Sequence, residues 1–140
     1  MSRFVILFHR LSRSSSPTAR TDLSSKIQPG DHWDWMFENQ GKLLTWSTSW
    51  RPSCESVGVA NRLKDHRVEY LDYEGEISGG RGTVQRVYEG TFELGTLEEK
   101  RFTAELYGEL QCSLQIVASS GGCESRVPWE LKTFGAKATG

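Results

Sequence analysis

The sequence predicts an all-β fold: a small antiparallel β-barrel, closed or partly open, with at most one or two short helices. Three observations lead there. Short runs of alternating apolar and polar residues recur along the chain, the pattern of half-buried strands. Fourteen glycines punctuate them, as tight turns and barrel corners require. No segment carries a long, capped 3.6-residue pattern. At 140 residues the chain fits a single domain, 1–140, large enough for a core without disulfides.

The first element is Phe4-Val5-Ile6-Leu7-Phe8, ending in His9. It is too short for a secretory signal or a membrane span and reads as a buried strand. A long Ser/Arg-rich loop, about 10–31, follows. It carries Arg10, Arg13, Arg20 and Lys26 against Asp22, so it is either a solvated insertion or a basic arm for a phosphate backbone. Trp33 to Phe37 and Lys42 to Ser47 flank Asn39-Gln40-Gly41, a hairpin signal. Ser53 to Leu63 admits a strand or a short helix. Thr83 to Tyr88 and Thr91 to Leu94 read as two strands around a Glu89-Gly90 turn. Arg101 to Tyr107, Glu109 to Val117 and Val127 to Lys132 give three more alternating runs.

Net charge is −1, so no global positive field draws the chain to DNA or a membrane surface. Cys54, Cys112 and Cys123 form no Cys-x-x-Cys clip, and three cannot all pair. A reduced, cytoplasmic protein is the expectation, with no nucleophile assigned among them.

The chemistry-bearing residues fall in two short motifs. His32-Trp33-Asp34 puts an imidazole and a carboxylate on one face of a strand. Asp65-His66 through Tyr70 does the same for a second imidazole and a phenol. Imidazole and carboxylate together suit a divalent transition metal. Singly, each has a plain structural explanation: a core histidine, a surface pair, a packed tyrosine, a glycine hairpin loop at Gly79-Gly80-Arg81-Gly82.

Taken in order, the motifs carry a resemblance. They are His9, His32-Trp33-Asp34 with Glu38, Leu43-Leu44-Thr45-Trp46, Asp65-His66 through Tyr70 to Tyr73-Glu74-Gly75, Gly80-Arg81-Gly82-Thr83-Val84, and Gly90-Thr91-Phe92-Glu93. This series resembles the 3′-phosphoesterase domain of the bacterial end-joining DNA ligase known as ligase D, over most of residues 4–94. The resemblance implies a manganese-dependent hydrolase on a small β-barrel, with Zn or another transition metal as the alternative ion. It would trim DNA or DNA/RNA 3′ ends in repair, removing a terminal ribonucleoside and then the 3′-phosphate. It implies His9, His32 and Asp34 as metal ligands and His66 and Tyr70 as catalytic groups at the phosphate. It also implies DNA ligase, polymerase or end-binding repair proteins as partners, and no membrane.

The chain departs from the family at two phosphate-binding arginines. Met36 stands two residues after Asp34, and Gly58 stands eight before His66. A thioether offers neither charge nor donor to a phosphate. Arg62 and Arg81 are the substitutes the sequence offers: Arg62 at even spacing from His66, Arg81 between glycines. The alternative function is a non-catalytic barrel that binds metal and DNA ends or a protein partner. A third reading is a β-barrel with no metal used for protein interaction, with Trp46 and Trp50 as candidate exposed anchors.

Overall fold

The computed structural model describes residues 2–10, 30–76, 82–118 and 128–135. Nine strands appear in chain order: β1 (Ser2–Arg10), β2 (His32–Asn39), β3 (Lys42–Thr48), β4 (Ser56–Arg67), β5 (Gly75–Glu76), β6 (Thr83–Glu98), β7 (Arg101–Gly108), β8 (Cys112–Ala118) and β9 (Trp129–Phe134). A 3-10 turn, Val68–Leu71, follows β4. No described helix is long and apolar enough to cross a membrane.

All pairings are antiparallel, in the order β1-β2-β3-β4-β9-β8-β7-β6, and β1 also pairs with β6. That last pairing closes an eight-stranded barrel, and β5 lies outside it on the first residues of β6. Closure satisfies the ladder groups that an open sheet would leave bare at its edges.

The hairpin signal at Asn39-Gln40-Gly41 forms as read. Gln40 and Gly41 both have positive φ, 51° and 82°, and they join β2 to β3. Two left-handed residues twist the hairpin in the sense its strands already have. Ser53 to Leu63 resolves to strand: β4 begins at Ser56 and runs on to Arg67.

At Glu89-Gly90 the structure departs from the turn expected there. Thr83–Glu98 is one continuous strand, and the chain reverses instead at Glu99 and Lys100. Gly90 serves close approach: a Cβ there would collide with the Tyr107 carbonyl oxygen and stand 2.9 Å from the Phe4 ring. The strand is long because it has two tasks. Its first part closes the barrel against β1 and its last part pairs β7.

Alternation along β1 and β2 sorts side chains into two clusters. Phe4, Ile6, Trp33, Trp35 and Phe37 join residues from the other barrel strands in the interior. Phe37 is the hub, with the rings of Phe4, Trp46, Phe92 and Phe102 within 6.3 Å of it, centroid to centroid. Trp46 is thus a core residue and not an exposed anchor. Trp50 is half-buried, and its indole N–H donates to the Val59 carbonyl. The intervening residues Val5, Leu7 and Met36 face outward. There they meet Leu43, Val84 and Leu71, with Val68 and Tyr70 packed against them. The 3-10 turn thereby covers a second, smaller cluster on the outer wall.

Candidate metal centre

β1 and β2 position the three candidate ligands by register. His9 is the Cα partner of His32, and Asp34 lies two residues along β2 on the same face. The intervening segment 11–29 lies outside the described residues. The strand pairing alone brings His9 to His32, whatever the length of chain between them.

The three side chains converge. One ligand atom from each of His9, His32 and Asp34 lies within 4.8 Å of the others. His9 Nδ1 stands 4.0 Å from Asp34 Oδ2, and His32 Nε2 stands 3.3 Å from Asp34 Oδ1. The two imidazole rings meet edge to face at 4.7 Å. His32 Nδ1 donates to the Gly30 carbonyl at 2.9 Å, because a carbonyl can only accept. That bond fixes the ring and leaves Nε2 turned toward the carboxylate, the arrangement that presents a lone pair to a cation.

Asp34 is 4 % exposed, and its Oδ1 has no hydrogen-bond partner. The His32 contact at 3.3 Å is within ion-pair distance, but it is an ion pair only while that imidazole is protonated. A buried carboxylate oxygen left in this state is costly, and a cation between these three groups would satisfy it. The donor set of two imidazoles and one carboxylate suits Mn or another divalent transition metal. Asp34 is also the chief reason that the His32 pKa lies above its ordinary 6.5, with burial opposing it and the Gly30 carbonyl helping.

Beside these groups lies a pocket of about 110 Å³ lined by Leu7, His9, Asp34, Met36, His66, Tyr70 and Val84. His66 and Tyr70 meet edge to face at 5.7 Å. They meet for a reason other than strand periodicity. β4 ends at Arg67, and the 3-10 turn folds Tyr70 back toward His66. His66 Nδ1 donates to the Lys64 carbonyl at 2.9 Å, so in the neutral ring Nε2 carries the lone pair. Tyr73 stands behind Tyr70, ring to ring at 5.8 Å.

Arg62 is elsewhere. The β3–β4 register shifts between Leu43, opposite His66, and Thr45, opposite Leu63. One extra residue on β4 therefore lies between Arg62 and His66, and a slip of one residue exchanges faces. Arg62 is opposite Trp46, stacks over its ring at 4.6 Å and pairs with Asp65 at 3.1 Å. Even spacing fails here because the strand is bulged. Arg81 lies outside the described residues. Gly58 cannot be replaced without displacing Trp50, whose Nε1 would be 2.5 Å from an added Cβ.

One cation beside the outer cluster escaped the sequence reading. Arg86 is opposite Leu7 in the β1–β6 ladder, on the outer face, and its guanidinium reaches the Leu71 carbonyl and Glu89. A register slip between Ile6 and Leu7 sets that placement, and no motif in the sequence marks it. No protein-family model matches the chain, and no curated protein matches it.

Proposed function

We propose that the protein is a metal-dependent phosphoesterase acting on nucleic-acid 3′ ends. The observation that carries this reading is the meeting of His9, His32 and Asp34 beside a pocket that His66 and Tyr70 also line. A phosphate ester is the substrate class that uses both halves of such a site. A divalent ion held by His9, His32 and Asp34 would supply Lewis-acid polarisation of a phosphoryl oxygen and a bound water of lowered pKa. Manganese is the ion we favour, on donor chemistry and on the resemblance to the ligase D phosphoesterase domain.

The chain's own groups account for the remainder. Tyr70 donates its hydroxyl to a non-bridging oxygen as charge builds there. His66 takes a proton at Nε2, or returns one to the leaving oxygen, while the Lys64 carbonyl holds its ring. Leu7, Met36 and Val84 keep bulk water from the pocket floor. A DNA or DNA/RNA 3′ end, handled in the cytoplasm alongside a ligase, a polymerase or end-binding repair proteins, is the setting that follows from the same resemblance.

The test is a primer ending in a 3′-phosphate or a 3′-ribonucleotide, incubated with the purified protein and Mn²⁺, with His32→Ala as control. End-trimming that His32→Ala abolishes supports the proposal. Absence of trimming with every divalent metal removes it.

One observation favours a second reading, a metal- and DNA-end-binding barrel without turnover. Met36 is buried on the pocket floor, where a phosphate would need a donor. Met36→Arg separates the two. A large gain of activity from an inactive parent identifies a binder that lost its catalyst, whereas activity already present in the parent identifies a working enzyme.

A further inference from the structure

Cys54 and Cys112 are far apart in sequence and lie on different elements. Cys54 is exposed in the loop that leads into β4, and Cys112 is the buried first residue of β8. In the sheet β9 lies between β4 and β8. The loop nevertheless brings the Cys54 thiol to the head of β8, where Sγ donates to the Gln111 carbonyl at 3.5 Å. Gln111 is the residue immediately before Cys112, and Cys54 lies near enough to help raise the pKa of the Cys112 thiol.

The loop is pinned there by bonds that do not involve sulfur. Thr133 Oγ1 donates to the Ser53 carbonyl at 2.8 Å and accepts from the Ser56 N–H at 2.9 Å. Ser53 Oγ accepts from the Glu55 N–H at 3.2 Å. Cys54 therefore sits between two residues held to β9 and to each other. Two thiols fixed in this way react as though at high effective concentration, since their approach costs little further ordering.

We propose that Cys54 and Cys112 are a built dithiol that closes into an intramolecular disulfide when the protein meets a low-molecular-weight disulfide, stapling the loop before β4 to β8 across β9. The steps follow from access. The exposed Cys54, as thiolate, attacks one sulfur of the small disulfide and expels one small thiolate, which takes up a proton. Cys112 then gives its proton to solvent and attacks the Cys54 sulfur, expelling the second small thiolate. The protein loses two electrons and two protons, and the small disulfide becomes two thiols. Burial raises the Cys112 pKa to about 12, with Cys54 beside it contributing, so the second step is the slow one. This dithiol is independent of the metal centre, and its test does not require activity.

The experiment uses the full chain carrying Cys123→Ser, treated with oxidised glutathione without denaturant. The expected result is an intact mass lower by two hydrogens and a single peptide joining Cys54 to Cys112. The thermal midpoint should rise by on the order of 10 °C and fall back with dithiothreitol. Cys54→Ser, which changes an exposed residue, should fold as the parent does and give no cross-link. A glutathione adduct that persists on Cys54, or no change in mass until the chain is unfolded, would overturn the proposal.

Discussion

The interior of the barrel and the cluster on its outer wall are built from alternate residues of the same strands, and they differ in what they leave unsatisfied. The interior is filled with aromatic rings packed on Phe37, and residues from barrel strands on every side contribute to it. The outer cluster is small, covered by one 3-10 turn, and it borders a cavity. Its polar neighbours include a buried carboxylate oxygen with no hydrogen-bond partner. An unsatisfied group of that kind is tolerated where a ligand relieves it, and under the proposed function the outer wall would be the working face. The contrast separates the two parts of a β-strand's alternation: one face specifies the fold, the other is free to carry chemistry.

The largest effect should come from the interior. Phe37→Ala removes the ring that touches four others and should cost about 3–5 kcal/mol, read from the denaturant midpoint at constant m. A loss below about 1.5 kcal/mol would mean that the hub is not where stability resides.

On the outer wall, substitutions should act on ligands before they act on the fold. His32→Ala should weaken Mn²⁺ binding about 10- to 100-fold by calorimetry, corresponding to roughly 1.5–3 kcal/mol for a charge-assisted contact. The unfolding midpoint of the metal-free variant should move little. If the midpoint collapses with affinity unchanged, the histidine is structural.

Met36→Arg tests whether the cavity makes the outer wall permissive. The guanidinium should project into the pocket beside Asp34 and raise inorganic phosphate affinity by about tenfold or more, equivalent to roughly 1.5–3 kcal/mol. The same substitution at Phe37, one residue along and facing inward, should yield no folded protein. Arg62→Ala should leave phosphate affinity unchanged, because that side chain is engaged with Trp46 and Asp65.

A smaller effect separates the proton from the metal. Asp34 holds the His32 pKa above 6.5 in the metal-free protein. A raised folded-state value gives stability that is complete below about 6.5 and is lost as pH rises through the folded value. Metal affinity should move oppositely, strengthening as the imidazoles lose their protons. The His32 ring resonances should titrate above the ordinary value by NMR, and Asp34→Asn should bring them down. A titration midpoint unchanged in Asp34→Asn would break the assignment.

The smallest effect belongs to the bare part of the outer surface. Val59 is 61 % exposed on β4 among the described residues. Val59→Thr should change stability by no more than about 0.5 kcal/mol. A larger loss would show that the outer wall is covered beyond the 3-10 turn.

The local pattern of residues determined the fold class, the β2–β3 hairpin and the shared face of His32 and Asp34. Each follows from period-two alternation or turn chemistry, which act between neighbours. Met36 was legible as a departure at the same level, and it now lines the pocket floor. Other features depended on which strand pairs with which, and in what register. His9 meets His32 through the β1–β2 ladder, across a segment that no motif spans. Arg62 turns away from His66 because one extra residue is accommodated in β4, and Tyr70 returns to His66 because the strand gives way to a 3-10 turn. Gly90 looked like a turn residue, yet it is required by the Tyr107 backbone and the Phe4 ring, both remote in sequence. The meeting of Cys54 with Cys112 is of the same kind. Alternation is written into each strand by itself, whereas register, bulges and close approach arise from packing between strands that the sequence holds far apart.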